Sequence, residues 1–159
     1  MHSGHCLCGA VEYEVDGPIR DVIACHCEEC QRVSSHFVAA TAAHHSDVAI
    51  TKDEGLAWYE GTSSIRRGFC KLCGSTLFFD HGPDLPMGIA AGSLDDSDDV
   101  KIAVHIWTEE AGPYYDPADI ADGTPKLTST EWRARSGWDP LGWSDGGDHR
   151  TRSRRFSRT

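Results

Sequence analysis

Seven cysteines fall into three tight groups, Cys6-x-Cys8, Cys25-x-Cys27-x-x-Cys30 and Cys70-x-x-Cys73, and the chain has no others. Spacings of one or two residues let neighbouring thiolates converge on a single tetrahedral ion, and Zn²⁺ is the common ion for all-sulfur ligand sets. Seven divides naturally into four and three. Four sulfurs close a structural site, whereas three leave one coordination position open for chemistry. Disulfides fit this pattern poorly. An odd count leaves one thiol over, and cysteines one position apart bridge badly.

Spacing alone leaves two partitions open. One joins Cys6 and Cys8 with Cys70 and Cys73, leaving Cys25, Cys27 and Cys30 as a trio. The other pairs Cys27 and Cys30 with Cys70 and Cys73, as in a zinc ribbon, leaving Cys6, Cys8 and Cys25. The first is more economical, because three ligands then lie within one short segment. It also staples the amino-terminal segment to a distant hairpin, and closing a long loop stabilises more than closing a short one.

The segments that must carry these thiols read as short strands. Residues 10–15 alternate, with Val11, Tyr13 and Val15 on one face and Glu12 and Glu14 on the other, the mark of a half-buried strand ended by Gly17-Pro18. Residues 19–24 read as a second strand that delivers Cys25. Further extended segments are expected at 37–41, 48–50, 56–59, 64–69, 76–79, 87–91 and 102–107, punctuated by Gly55, Gly61, Gly74, Gly82-Pro83 and the acidic 95–99 run. Only residues 28–33 read as a helical turn, starting inside the second cysteine group. Many short strands predict a mainly β fold, a sandwich or barrel. From Glu131 onward Arg, Ser, Gly and Asp dominate without periodicity, so a domain over 1–130 and a loosely packed or disordered basic tail over 131–159 are expected.

Three strings resemble the signatures of the glutathione-dependent formaldehyde-activating enzyme family, which includes centromere protein V. They are Gly4-His-Cys-Leu-Cys-Gly-Ala-Val-Glu-Tyr-Glu-Val15, Cys25-His-Cys-Glu-Glu-Cys-Gln-Arg-Val-Ser34 and Phe69-Cys-Lys-Leu-Cys-Gly-Ser-Thr-Leu-Phe78, with later landmarks at 91–96 and 105–107. The resemblance spans about residues 3 to 128. It implies a β-tent fold similar to that of peptide methionine sulfoxide reductase B, built around two zinc ions. It further implies a structural zinc on Cys6, Cys8, Cys70 and Cys73 and a catalytic zinc on Cys25, Cys27 and Cys30. The implied reaction is carbon–sulfur lyase chemistry, the condensation of formaldehyde with glutathione to S-hydroxymethylglutathione, with a small-molecule thiol as the partner. Two departures from the family pattern stand beside the trio: Gln31 where a basic residue often follows, and Ser35 where glycine is usual.

That chemistry is physically sensible. A free thiol, with a pKa of about 8.5, is mostly protonated at neutral pH, and coordination to Zn²⁺ removes its proton. Three thiolates already weaken the ion as a Lewis acid, so delivery of a thiolate is expected rather than strong polarisation of a carbonyl. Among the other polar residues, His26 reads as a supporting or surface group and His105 as a satisfied structural histidine. His44 and His45 read as exposed. Arg32, Arg66, Arg67 and Lys71 either bind substrate carboxylates or balance thiolate charge. Ser34 and Ser35 are expected to hydrogen-bond cysteine sulfur, Asp95 and Asp96 to form turns, and Trp58, Tyr59, Phe78 and Phe79 to serve as core and platform.

The formal net charge is −10, unevenly spread: residues 1–130 carry 8 Lys+Arg against 21 Asp+Glu, and residues 131–159 carry 7 Arg against 4 acids. An acidic body disfavours nucleic acid as a partner, because phosphate binding needs clustered positive charge. No run approaches the ~20 apolar residues of a membrane span. The opening Met1-His2-Ser3-Gly4-His5 has no apolar stretch behind a basic start, so no secretory leader is expected, and a reducing cytoplasm suits free thiols. A non-catalytic two-zinc scaffold for a protein or nucleic acid partner is the alternative function, supported by the basic tail alone. Methionine sulfoxide reduction needs a redox cysteine outside the zinc sites, and none is spare.

Overall fold

The computed structural model describes residues 1–61 and 65–135. The expected tail beyond residue 135, and the first residue of the strand expected at 64–69, lie outside the described residues.

Two sheets carry the chain, as a mainly β reading requires. The smaller, ordered β1-β2-β5, joins β1 (His2–His5), β2 (Glu12–Val15) and β5 (Val48–Lys52) in antiparallel register. The larger contains β3 (Val22–Cys25), β4 (Val38–Ala43), β6 (Leu56–Glu60), β7 (Arg66–Cys70), β8 (Thr76–Asp80), β9 (Met87–Ala90), β10 (Ile102–Ile106) and β11 (Lys126–Leu127). Its order is β11-β10-β3-β4-β9-β8-β7-β6, with β10 parallel to both β3 and β11 and the other pairs antiparallel. Among the described residues two short α-helices complete it, α1 (Glu28–Ser34) and α2 (Ser129–Ala134), with single 3-10 turns between strands. No described helix is long and apolar enough to cross a membrane.

The alternation in residues 11–15 produces the packing it predicts. Val11, Tyr13 and Val15 are buried and Glu12 and Glu14 exposed, so β2 lays one apolar face against Leu77, Phe78, Met87 and Ile89 of the larger sheet. Each such side chain taken fully out of water contributes about 1.5–3 kcal/mol before its entropy cost. Tyr13 meets Phe78 edge-on with centroids 5.2 Å apart, and Trp58 stacks on Phe78 at 5.9 Å. Tyr59 departs from the expected core role and is 61% exposed. A second cluster, Val104, Ile106 and Trp132 with Ile23, Cys25, Trp107 and Leu127, sits at the other end of the larger sheet, beside Cys25.

Three elements have no counterpart in the expected list. β1 is polar and has no alternation to read; pairing with β2, His2 opposite Val15 and His5 opposite Glu12, makes it a strand. β11 is two residues long. α2 begins with a reciprocal capping box, in which Thr128 Oγ1 accepts the Glu131 N–H and the Glu131 carboxylate accepts the Thr128 N–H. It crosses the boundary drawn at residue 130 from composition, and its Trp132 is buried.

Candidate metal centres

Two cysteine turns face each other across the smaller and larger sheets. In Cys6–Gly9 the Gly9 N–H donates to the Cys6 carbonyl at 2.9 Å, and in Cys70–Gly74 the Gly74 N–H donates to the Cys70 carbonyl at 2.7 Å. Both glycines sit at positive φ, +70° and +80°, where a side chain is strained. Each turn thereby directs two thiols to one point: Cys6 Sγ lies 3.6 Å from Cys8 Sγ, Cys8 Sγ lies 3.8 Å from Cys70 Sγ, and the sulfurs of Cys6, Cys8, Cys70 and Cys73 all lie within 4.8 Å of one another. A tetrahedral zinc with Zn–S of about 2.3 Å sets sulfurs about 3.8 Å apart. A disulfide needs about 2.05 Å, and all seven cysteines are free thiols. The donor set fits a cation. The Val11 N–H donates to Cys6 Sγ at 3.3 Å, and Ser75 links the turns, its Oγ accepting the Leu7 N–H at 3.0 Å and lying 3.3 Å from Cys73 Sγ. That hydroxyl, with the Ser75 N–H, holds the Cys73 thiol down at about 5.

The trio lies where β3 meets α1. Cys25 closes β3, opposite Val38 of β4 and Ile106 of β10; Cys27 is the residue before α1; Cys30 is buried in its first turn. Their three sulfurs also lie within 4.8 Å of one another. Hydrogen bonds from Cys25 and Cys30, with the Cys30 and Glu29 N–H groups, push the Cys27 thiol down to about 2 against the opposing effect of burial. In return Cys27 pushes Cys25 up to about 12, and Cys25 and Cys27 push Cys30 up as well. Three thiols crowded this closely ionise together only with a cation among them, and either cysteine group can hold a metal ion.

The loop after β10 fixes this geometry. Trp107 takes a left-handed backbone, φ 55°, and turns the chain into the single turn Thr108–Glu110. Glu110 Oε2 accepts the Glu28 N–H at 2.8 Å, so a carboxylate meets the amino-terminal end of α1. Gln31 Nε2 donates to the carbonyls of both His26 and Glu110, at 2.7 Å each, and the His26 N–H donates to Ile106 O at 3.0 Å. Gln31, read as a departure from the family pattern, thus ties α1 to the residue before Cys27 and to the turn after β10. Ser35 ends α1 at φ 64°, ψ 7°, the conformation that makes glycine usual there.

His26 is not a surface residue. Its ring is fully buried, with Nδ1 2.6 Å from Tyr115 Oη and Nε2 2.8 Å from His105 Nδ1. Burial, then the neighbouring His105 and His36, push its pKa down to about 4, so the imidazole is neutral. His105 is fully buried too; its Nδ1 meets His26 Nε2, and among the described residues its Nε2 makes no hydrogen bond of good geometry. Around this pair pack Phe37, His36, Tyr114 and Tyr115, with His36 and Tyr115 centroids 4.3 Å apart. Sequence reading passed over these four. Tyr114 and Tyr115 lie between Pro113 and Pro117 in a stretch without periodicity, and only the fold brings them to the trio.

The arginines are already paired. Arg32 Nη2 lies 2.6 Å from Glu28, Arg67 Nη2 2.8 Å from Glu29, and Arg66 Nη2 2.7 Å from Asp80. His45 is not simply exposed: its Nε2 lies 3.1 Å from buried Asp80. Ser34 Oγ donates to the Cys30 carbonyl rather than to sulfur, at 2.8 Å. Asp95 does more than shape a turn, accepting Ser3 Oγ and pairing with His5 Nδ1, each at 2.5 Å.

Comparison with known proteins agrees with this architecture. A protein of Schizosaccharomyces pombe, named an uncharacterized lyase, is 34% identical over 79 residues, 49% of this chain and 56% of that protein. The match therefore spans only about half of that relative. The crystal structure of a Rhodobacter sphaeroides protein superimposes with a TM-score of 0.51 at 25% identity, over 78% of this chain and 98% of that one. The family model for the glutathione-dependent formaldehyde-activating enzyme matches residues 1–110, and the chain belongs to that family.

Proposed function

We propose that this chain is a zinc-dependent carbon–sulfur lyase acting on a thiol adduct, with glutathione plus formaldehyde to S-hydroxymethylglutathione as its reference reaction. The observation that carries the reading is the three-sulfur group of Cys25, Cys27 and Cys30, which offers one ligand fewer than a closed site. Family membership and the lyase name of the S. pombe relative support the reaction class.

In this reading Cys6, Cys8, Cys70 and Cys73 hold a structural ion, and Cys25, Cys27 and Cys30 hold the ion of the active site. That ion, when bound, supplies an open position at which a substrate thiol loses its proton at neutral pH. The chain's own residues do the rest. The N–H groups of Glu29 and Cys30 stabilise negative charge on Cys27 Sγ. Gln31 and Glu110 keep α1 from shifting against β10. His26, fully buried between Cys25 and Cys27 in the chain, is held through both ring nitrogens by Tyr115 and His105 and so fixes the backbone that carries two of the three sulfurs. A reducing cytoplasm is the setting that keeps seven thiols free.

Exchange NMR with ¹³C-formaldehyde and glutathione tests the reaction. The protein should accelerate interconversion of free aldehyde and S-hydroxymethyl adduct, and Cys27→Ser should return the rate to background. Interconversion at the background rate with the wild-type, metal-loaded protein would refute the assignment.

A further inference from the structure

Helix α1 does not cap itself. Its N-cap residue is Cys27, whose sulfur lies with those of Cys25 and Cys30 and makes no capping hydrogen bond. The first N–H groups of a helix have no partner within it. Here the acceptor comes from 82 positions away, where Glu110 Oε2 takes the Glu28 N–H at 2.8 Å. A carboxylate does this better than a neutral group, because its charge strengthens the bond and complements the helix dipole. Glu109, the residue before, does the same for α2. Its Oε1 accepts the Ser129 N–H at 2.8 Å, and that bond holds the Glu109 carboxyl below its ordinary range. Helix α2 already starts on its own Thr128–Glu131 capping box. What the Glu109 bond adds is a tie between that helix and the turn.

Two neighbouring carboxylates thus hold two helices to the single turn Thr108–Glu110. Helix α2 is a firm anchor for it. Its Trp132 packs on Val104 and Ile106 of β10, and the Arg133 guanidinium lies over the Trp107 ring, 5.5 Å from the centroid. Trp107 opens the turn in a left-handed backbone, which a large residue keeps only where its surroundings impose it. On the other side, Gln31 of α1 donates to the Glu110 carbonyl at 2.7 Å. The connection from α2 to Cys27 therefore runs through Ser129, Glu109, Glu110 and Glu28 by hydrogen bonds and adjacent residues alone. Cys27 precedes α1 and Cys30 lies in its first turn, whereas Cys25 ends β3, so the placement of α1 sets two sulfurs against the third.

We propose that Glu109 is a positioning residue of the three-sulfur site: its tie to α2 holds the turn from which Glu110 caps α1, and so sets how firmly the trio keeps a metal ion. The role rests on the reading that Cys25, Cys27 and Cys30 bind one. It gives α2, which lies beyond the residues the family model matches, a part in the site.

Ser129→Pro isolates the bond. Proline suits the first position of a helix, and Thr128 before it, at φ −68° and ψ 165°, already has the extended backbone that proline demands. What is lost is the N–H that Glu109 accepts. With zinc loaded in both cysteine groups, release to a chromogenic chelator is followed over time, and Cys27→Ser identifies the phase that belongs to the trio. Glu109→Ala and Ser129→Pro should each speed release from the trio about tenfold, the loss usual when a group that orients metal ligands is removed. Release from Cys6, Cys8, Cys70 and Cys73 should keep its wild-type rate. The double variant should be no faster than either single one, since both cut the same bond. Glu109→Gln, which keeps an acceptor oxygen, should restore most of the retention. Wild-type release from the trio in both Glu109→Ala and Ser129→Pro overturns the role of Glu109 and leaves the metal reading standing. A wild-type protein that holds no metal on the trio overturns both. Equal acceleration at the two groups would make the bond a general prop of the fold and overturn the positioning role. Should Glu109→Ala fold poorly, Ser129→Pro alone decides between these outcomes.

Discussion

Cys8 Sγ lies 3.8 Å from Cys70 Sγ, although 62 positions separate them in the chain. The contact joins the segment after β1 to the end of β7, one from each sheet, so whatever holds these two sulfurs holds the sheets together. Cys70 is fully buried.

Cys70→Ser should therefore prevent stable folding. Structural zinc contributes about 10–16 kcal/mol in small zinc domains, against a net stability of about 5–15 kcal/mol for a typical protein. Circular dichroism on the purified variant checks this, and prolonged treatment with a strong chelator should unfold the wild type in the same way. A cooperative melt in the variant near the wild-type temperature would argue that the four-sulfur group is not structural.

Asp80 should govern part of the acid stability. Burial alone raises its pKa, but the Gly82 N–H, Arg66 and His45 together more than reverse this, and the carboxyl sits below its ordinary value. A lowered folded-state pKa gives stability that is present above the unfolded value and lost as pH falls through the folded one. Asp80→Asn should cost about 3 kcal/mol at pH 7. The gap between variant and wild type should stay constant down to about pH 4 and narrow below it. Denaturant melts across that range measure it.

Ser35→Gly should stabilise the chain by about 1 kcal/mol, because the residue holds a left-handed backbone that glycine adopts without strain. The change also loosens the unfolded chain, which limits the gain. Paired melting curves at equal metal loading decide it.

The sequence made the strands around the cysteines legible because their apolar residues alternate, as Val11, Tyr13 and Val15 do, and because glycine and proline mark their ends. Locality only favours joining the first and third cysteine groups and the family resemblance implies it; in the structure their four sulfurs lie within 4.8 Å of one another. What the sequence could not convey depends on distant contacts. β1 is a strand only through its pairing with β2. Tyr115 reaches His26 across 89 positions, and no spacing rule links a residue in a proline-rich loop to the middle of a Cys-His-Cys motif. The end of the domain was placed by composition, which saw arginine and glycine beyond Glu131 and missed the Thr128–Glu131 capping box that starts α2.

Trp132 sets the consequence for truncation. It is buried against Val104 and Ile106, so Trp132→Ala should cost about 3–5 kcal/mol. A chain ending at Thr128 should melt roughly 10 °C lower than one ending at Arg135. Equal melting temperatures for the two truncations would show that α2 contributes nothing to the fold.

The central claim is that Cys25, Cys27 and Cys30 hold a metal ion with one position open to an external thiol. Cobalt loaded into the trio reports its own ligands, because a fourth sulfur changes its absorption. Titrating glutathione or 2-mercaptoethanol into the two-cobalt protein should shift that spectrum in a saturable way. The apparent affinity should rise with pH toward the region where free thiols ionise, since binding releases a proton. Cys27→Ser should abolish the shift and leave the four-sulfur signal of Cys6, Cys8, Cys70 and Cys73 in place. A spectrum unmoved by either thiol at millimolar concentration, in a protein shown to carry two metal ions, would contradict the account.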